Sequence, residues 1–180
     1  WDHEAGAELD LHKHIVDGVS WGAGAKKTNT ILTLVRHGQT DYNKQDLVNG
    51  GNIDTVLNET GREQVRTLAK KLKKRKFDLI ISSDLKRAVE TADILSKELN
   101  VPHVAKWKEL RERDTGDWTG KPVKDFITVL PQGITASPAM FPGTPPKGES
   151  LKEFLHRLET ALERMRADYP GKRVLVACHS

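Results

Sequence analysis

From residue 31 onward the chain alternates between short apolar runs and longer amphipathic stretches. Ile31-Leu-Thr-Leu-Val35 is an apolar run of strand length, stopped by a charged turn that contains glycine. Thr60 and Glu63 have the spacing of a capping box. Behind them Val65, Leu68, Ala69 and Leu72 recur at the spacing of one helical face. Residues 77–81 read as a second strand, and a second helix follows Ser83 with Leu85, Ala88, Val89, Ala92, Leu95 and Leu99 on its inner side. Residues 101–104 predict a short edge strand, because Pro102 has no N–H to give to a central ladder. Ser150 and Glu153 make another capping box, opening a helix with Leu151, Phe154, Leu155, Leu158, Leu162 and Met165 inward. Gly171 ends that segment and residues 173–178 form a last strand. Apolar strands alternating with helices predict a three-layer α/β fold, a mostly parallel sheet covered by helices on both faces.

Two stretches break the alternation. Residues 113–148 are rich in Gly and Pro, with one short helix expected at 123–130 and otherwise a long loop. Loops of that length inside a domain are usually functional, as lids or binding walls. Residues 1–30 form an N-terminal extension, partly flexible, ending in the linker-like run 22–29. Its short apolar pattern (Leu9, Leu11, Ile15, Val16, Val19, Trp21) suits docking on the body rather than a separate domain. Residues 31–180 make the one folded domain.

Composition narrows the function classes. No apolar run approaches the roughly 20 residues that span a bilayer, so no membrane partner is expected, and no aromatic residue is interleaved with the basic residues 70–76, so no nucleic-acid partner is expected. The single cysteine, Cys178, rules out an internal disulfide and a cysteine-built metal site, which fits a cytoplasmic protein. A trimmed leader before Trp1 stays open. The net charge is +4, and the densest basic run is Lys70, Lys71, Lys73, Lys74, Arg75 and Lys76. That run reads as a solvated helix end, where cations suit the negative pole of the helix dipole. His3, His12 and His14 with Asp2 have metal-ligand chemistry but no further ligand at fixed spacing, and read as tail. His103 and His156 read as surface residues.

Reactive side chains collect where the strands end. In open parallel sheets ligands bind at the carboxyl ends of the strands. Arg36-His37-Gly38 follows the first strand, Ser82-Ser83-Asp84 with Arg87 the second, and His179 the last. Two histidines and two arginines would thus converge on one crevice suited to a phosphoryl dianion, since a guanidinium offers paired donors to phosphate oxygens. A neutral imidazole nitrogen is nucleophilic, so His37 can attack phosphorus if its other nitrogen is held by an acceptor. Glu112 is the candidate proton donor to a leaving oxygen, and its carboxylate can later activate water. Each residue alone has a plainer reading. Arg87 can pair with Asp84 or Glu90, His179 can lie on the surface, and Glu112 can be a solvated charge. Their ordered occurrence at successive strand ends favours the joint reading.

The run Leu34-Val-Arg-His-Gly-Gln-Thr-Asp-Tyr-Asn43 resembles the signature of the histidine phosphatase superfamily, which includes the cofactor-dependent phosphoglycerate mutases. Further matches follow in the family order: residues 51–57 with Gly61, Ser82–Arg87 with Thr91, Leu110-Arg-Glu-Arg113, Pro146-Lys-Gly-Glu-Ser150, and residues 174–179. The resemblance covers residues 31–180 and implies a phosphoglycerate mutase-like fold. It implies His37 as the phosphorylated histidine and Glu112 as general acid and base. Arg36, Arg87 and His179 are implied as the catalytic phosphate pocket, with Asn43 and Gly50 beside it as substrate-binding residues. No metal or organic cofactor is implied.

Two departures stand out. Ser180 occupies the place where the family usually has Gly, and family members continue through a helix and at least one more strand. The chain therefore reads as lacking the usual C-terminal part, with fraying expected at His179. The resemblance implies a phosphatase of small phosphorylated metabolites, nearer the fructose-2,6-bisphosphatase branch than the mutases, because the interval from Glu112 to Gly148 is short. A mutase (isomerase) that returns the phosphoryl group to product is the alternative. A catalytically weak module that binds phosphate or a phosphoprotein is another. Trp118, Lys121, Lys124, Phe126 and Phe141 are candidates to touch the rest of the substrate.

Overall fold

A computed structural model describes residues 29–126, 128–129, 135–136 and 143–179. The docking pattern and metal-ligand types of the N-terminal extension, like Phe141, lie outside the described residues. Four parallel strands form the sheet in the order β1-β6-β2-β3, from β1 (Ile31–Arg36), β2 (Leu79–Ser83), β3 (His103–Trp107) and β6 (Arg173–Cys178). Helices α2 (Glu59–Leu72) and α3 (Lys86–Leu99) cover one face, and α4 (Leu151–Asp168) covers the other. The fold is thus the expected α/β sandwich.

Two cores separate along the sheet. On the first face Val65, Ala69 and Leu72 of α2 and Ala92 and Leu95 of α3 pack on Val35, Ile80, Leu175 and Ala177. On the other, Ala161 and Met165 of α4 pack on Leu79, Ile81, Val174, Val176 and Trp107. Residues of β2 and β6 appear in both, alternating between faces as strand periodicity requires. These central strands are buried almost throughout, which is why they read as continuous apolar runs.

Element boundaries differ from the sequence expectation in instructive ways. Asn58, not Thr60, caps α2, its side chain accepting from the Gly61 N–H. β2 runs two residues later than expected and takes in Ser82 and Ser83, which are fully buried. The edge strand is 103–107, after Pro102, whose carbonyl accepts from the Ile80 N–H at 2.8 Å. The stretch expected as a helix at 123–130 is a short 3-10 turn, Val123–Phe126, followed by β4 (Thr128–Val129) pairing antiparallel with β5 (Thr135–Ala136). A four-residue helix, α1 (Asp41–Lys44), was not anticipated. The capping box of Ser150 and Glu153 is present and opens α4. Leu155 and Leu162 nevertheless point outward, 50% and 41% exposed, because the inner face of α4 runs through Phe154, Ala161 and Met165.

His103 is also misread as a surface residue. Its side chain is 6% exposed, with Nδ1 2.7 Å from Asp93 and Nε2 3.0 Å from the Ser82 hydroxyl. It ties the edge strand to α3 and β2. His156 is exposed, as expected.

Candidate active site

The strand register builds the crevice. Arg36 of β1 stands opposite Cys178 of β6, so the next residues, His37 and His179, leave neighbouring strands side by side. The His37 N–H extends the ladder by donating to the Cys178 carbonyl at 3.0 Å. The two imidazoles meet edge to face with ring centroids 5.2 Å apart.

His37 is 6% exposed, and its Nδ1 lies 2.8 Å from the Gly38 carbonyl oxygen. A carbonyl can only accept, so Nδ1 carries the proton and Nε2 keeps its lone pair. Burial, reinforced by the positive charges of Arg87 and Arg36, lowers the His37 pKa to about 3. His179 is likewise pushed well below its ordinary value by burial and by His37, Arg87 and Arg36. Both rings are therefore neutral near pH 7, the form in which an imidazole nitrogen is nucleophilic.

The backbone around His37 is clamped by glycine against glycine. A Cβ on Gly38 would come within 2.5 Å of the Gly61 carbonyl oxygen, and one on Gly61 would collide with the Gln39 backbone. The first turn of α2 can therefore approach the His37 turn only through this pair. Thr91 of α3 completes the clamp: its hydroxyl accepts from the Gly38 N–H at 3.2 Å and donates to the Arg87 carbonyl at 2.7 Å.

Arg87 is fully buried in the first turn of α3. Its guanidinium donates to the carbonyls of Ile53 at 2.8 Å, Gly50 at 3.1 Å and Asn49 at 3.3 Å. The plainer reading as an ion pair fails, since Asp84 is held by Arg111 at 2.6 and 2.7 Å and Glu90 by Arg62 at 2.6 Å. Burial lowers the Arg87 pKa to about 10, opposed by the carboxylates of Glu112 and Asp54, so it stays cationic. Among the described residues its Nε and both ring nitrogens of His179 are buried with no hydrogen-bond partner. Buried donors and acceptors without partners are costly and mark functional sites. Arg36 sits at the mouth, more exposed, where the Glu112 charge reaches it.

Glu112 is half-buried, with Oε1 accepting from the Arg113 N–H at 2.9 Å. Its charge is felt at Arg36, Arg87 and Cys178.

A family model for the histidine phosphatase superfamily (branch 1) matches residues 32–180. The chain belongs to that superfamily. It is 35% identical over 150 residues to the uncharacterized phosphatase PhoE of Bacillus subtilis, covering 83% of this chain and 72% of that one. It is 34% identical to the metal-independent phosphoserine phosphatase of Arabidopsis thaliana, covering 83% and 64%. Among solved structures, the mycobacterial glucosyl-3-phosphoglycerate phosphatase complexed with VO3 superposes with a TM-score of 0.66 at 31% identity, covering 81% and 74%. The chain thus spans about two thirds to three quarters of the length of these relatives.

Two expected members of the histidine phosphatase pocket have structural employment. Asn43 spends its side-chain oxygen on the Thr40 N–H at 3.0 Å and hydroxyl at 2.8 Å, closing the capping box of α1. Gly50 meets Arg87 through its carbonyl rather than through an open backbone face. In the long loop Trp118 and Phe126 stack with centroids 4.7 Å apart. That loop is zipped to residues 46–48 by backbone bonds, among them Val48 N–H to Lys121 O at 2.9 Å and Val123 N–H to Asp46 O at 2.8 Å.

The support for Glu112 was not visible in the sequence. Arg157 of α4 donates to the carbonyls of Glu109 at 2.8 Å, Arg111 at 3.0 Å and Glu112 at 3.3 Å, while its other N–H groups grip both oxygens of Glu149. Buried Arg113 reaches the Glu149 carbonyl at 2.9 Å. The one available signal was an arginine placed between Phe154 and Leu158 on an otherwise apolar flank. Glu112 also lines a cavity of about 480 Å³ whose wall includes Lys108, Arg111, Lys147, Glu149 and Arg157.

Proposed function

We propose that this chain hydrolyses monoesters of small phosphorylated metabolites through a phosphohistidine on His37. The observation that carries the reading is the His37 ring, neutral and with Nε2 free to attack, set beside buried, partnerless nitrogens of Arg87 and His179. Those nitrogens supply the donors that a phosphoryl group would satisfy. The named phosphatases among the relatives favour hydrolysis of phosphate esters.

In the first step His37 Nε2 forms a bond to phosphorus while the bond to the ester oxygen breaks. Glu112, in its acid form, gives that oxygen a proton. In the second step the Glu112 carboxylate takes a proton from water, whose oxygen attacks phosphorus. The N–P bond then breaks, the electron pair returns to Nε2 and inorganic phosphate leaves. Arg36 and Arg87 bind the equatorial oxygens and offset the charge that builds there. His179 donates one hydrogen bond from its neutral ring. A reducing compartment such as the cytoplasm accords with the unpaired Cys178.

The test is phosphate release from a panel of phosphate esters by the wild type and Glu112→Gln. Glu112→Gln should slow turnover by about 10²–10⁴-fold while vanadate inhibition persists. An unchanged rate would move the acid role to Asp114 or Glu109.

A further inference from the structure

The pole of the sheet opposite the crevice is as strongly charged as the crevice itself. Because α2 returns antiparallel to the strands, its C-terminal end and the turn into β2 lie at the amino ends of the strands. Six of the seven residues 70–76 are Lys or Arg, and all six are exposed. Their six positive charges exceed the net charge of +4 of the entire chain, so the remainder is net acidic. The basicity of the protein is therefore a local property of this pole.

The helix dipole does not account for it. The dipole acts within the last turn of a helix, and α2 ends at Leu72, leaving Lys73, Lys74, Arg75 and Lys76 beyond it. Nor does internal pairing: among the described residues none of the five lysines of the run pairs with a carboxylate. The same pole adds exposed Lys172 at the start of β6 and Lys97 in the last turn of α3. The acid nearest the run in sequence, Asp78, is engaged by the N–H of Arg173 at 2.7 Å, and Asp168 at the end of α4 is paired with Arg164 at 3.4 Å.

We propose that this pole is an electrostatic attachment surface for an anionic lipid leaflet. Lysine dominates the run, and its ammonium is a mobile point charge suited to diffuse headgroup charge rather than to one fixed phosphate. Clusters of four to eight such residues bind phosphatidylserine-rich surfaces in this way. Single-stranded nucleic acid is disfavoured, since the adjacent aromatic, Phe77, packs against the core instead of offering a stacking face. Attachment at this pole leaves the opposite crevice open to soluble substrate. The contact is peripheral, for no helix among the described residues is long and apolar enough to cross a membrane.

The test is co-sedimentation of the chain with phosphatidylcholine vesicles containing roughly 30% phosphatidylserine, against pure phosphatidylcholine, over a salt series. Binding should appear only with the anionic vesicles and vanish by roughly 0.5 M salt. The triple variant Lys73→Glu, Lys74→Glu, Lys76→Glu should bind at least about 100-fold more weakly, about fivefold for each lysine lost. Its hydrolysis of a soluble ester should be unchanged. Equal partition onto neutral and anionic vesicles, or undiminished binding by the variant, would overturn the proposal. So would tight binding to short duplex DNA with the anionic vesicles ignored.

Discussion

The two walls of the crevice are built by different means. The His37 wall is backbone: parallel ladders, the Gly38–Gly61 contact and one threonine bridge hold it. The Glu112 wall shares a backbone contact at Gly51, but its loop is also gripped from behind by side chains, with Arg157 and Arg113 collecting carbonyls and Glu149. Each wall has a glycine contact at which a Cβ would collide with backbone, Gly38 against Gly61 in one and Gly51 against the Glu112 carbonyl in the other. The Glu112 wall depends on guanidiniums in addition.

Breaking the backbone wall should have the largest effect. Gly61→Ala drives a Cβ into the Gln39 backbone and pushes α2 away from the His37 turn. A shift near 1 Å at the nucleophile should cost about 100-fold in kcat/KM. Steady-state kinetics beside circular dichroism separates that loss from unfolding, and a fully active Gly61→Ala would show that the close approach does not position His37.

Breaking the side-chain wall should cost less and act on one step. Arg157→Met keeps the stem that packs along α4 but releases the carbonyls of residues 109, 111 and 112. A kcat lowered roughly tenfold is expected, with vanadate affinity retained because Arg87 and His37 are untouched. Vanadate affinity falling in step with kcat would mean that the two walls are not independent.

What the sequence reveals follows the same division. Strand ends are read from apolar runs, and parallel pairing brings their next residues together, so the sequence alone predicts His37, Arg87 and His179 in one crevice. The carbonyl cage of Arg87 and the grip of Arg157 join positions more than 30 residues apart, and no local pattern encodes such partners. His103 reads as a surface residue because the partners that bury it, Asp93 and Ser82, lie on other elements. Leu155 and Leu162 read as inward because they belong to the apolar stripe of α4, of which only part faces the sheet.

A pH series tests the electrostatics common to both walls. His37 is neutral when folded, with a pKa of about 3, but titrates near 6.5 when unfolded. The unfolded state therefore binds more protons below pH 6.5, and the contribution of His37 to stability falls as pH drops from about 6.5 towards 3. His179 shifts in the same direction. Urea midpoints should decline across that window, and more shallowly for His37→Asn, which removes one titrating group. Equal slopes would contradict a neutral buried His37.

The smallest effect belongs to a site remote from the chemistry. Ser150→Ala removes the cap of α4 and should cost about 1 kcal/mol in urea denaturation. The rate should stay unchanged, since Arg157 lies two turns further along the helix.

Rapid quenching with a labelled phosphate ester tests the central claim most directly. Label should appear on His37 in an acid-labile, base-stable bond, be absent from His37→Ala, and drain to water within a turnover. Label that persists until a second phosphorylated acceptor arrives would make the protein a mutase. No label at all, despite binding of vanadate, would contradict the account and leave the crevice as a recognition site.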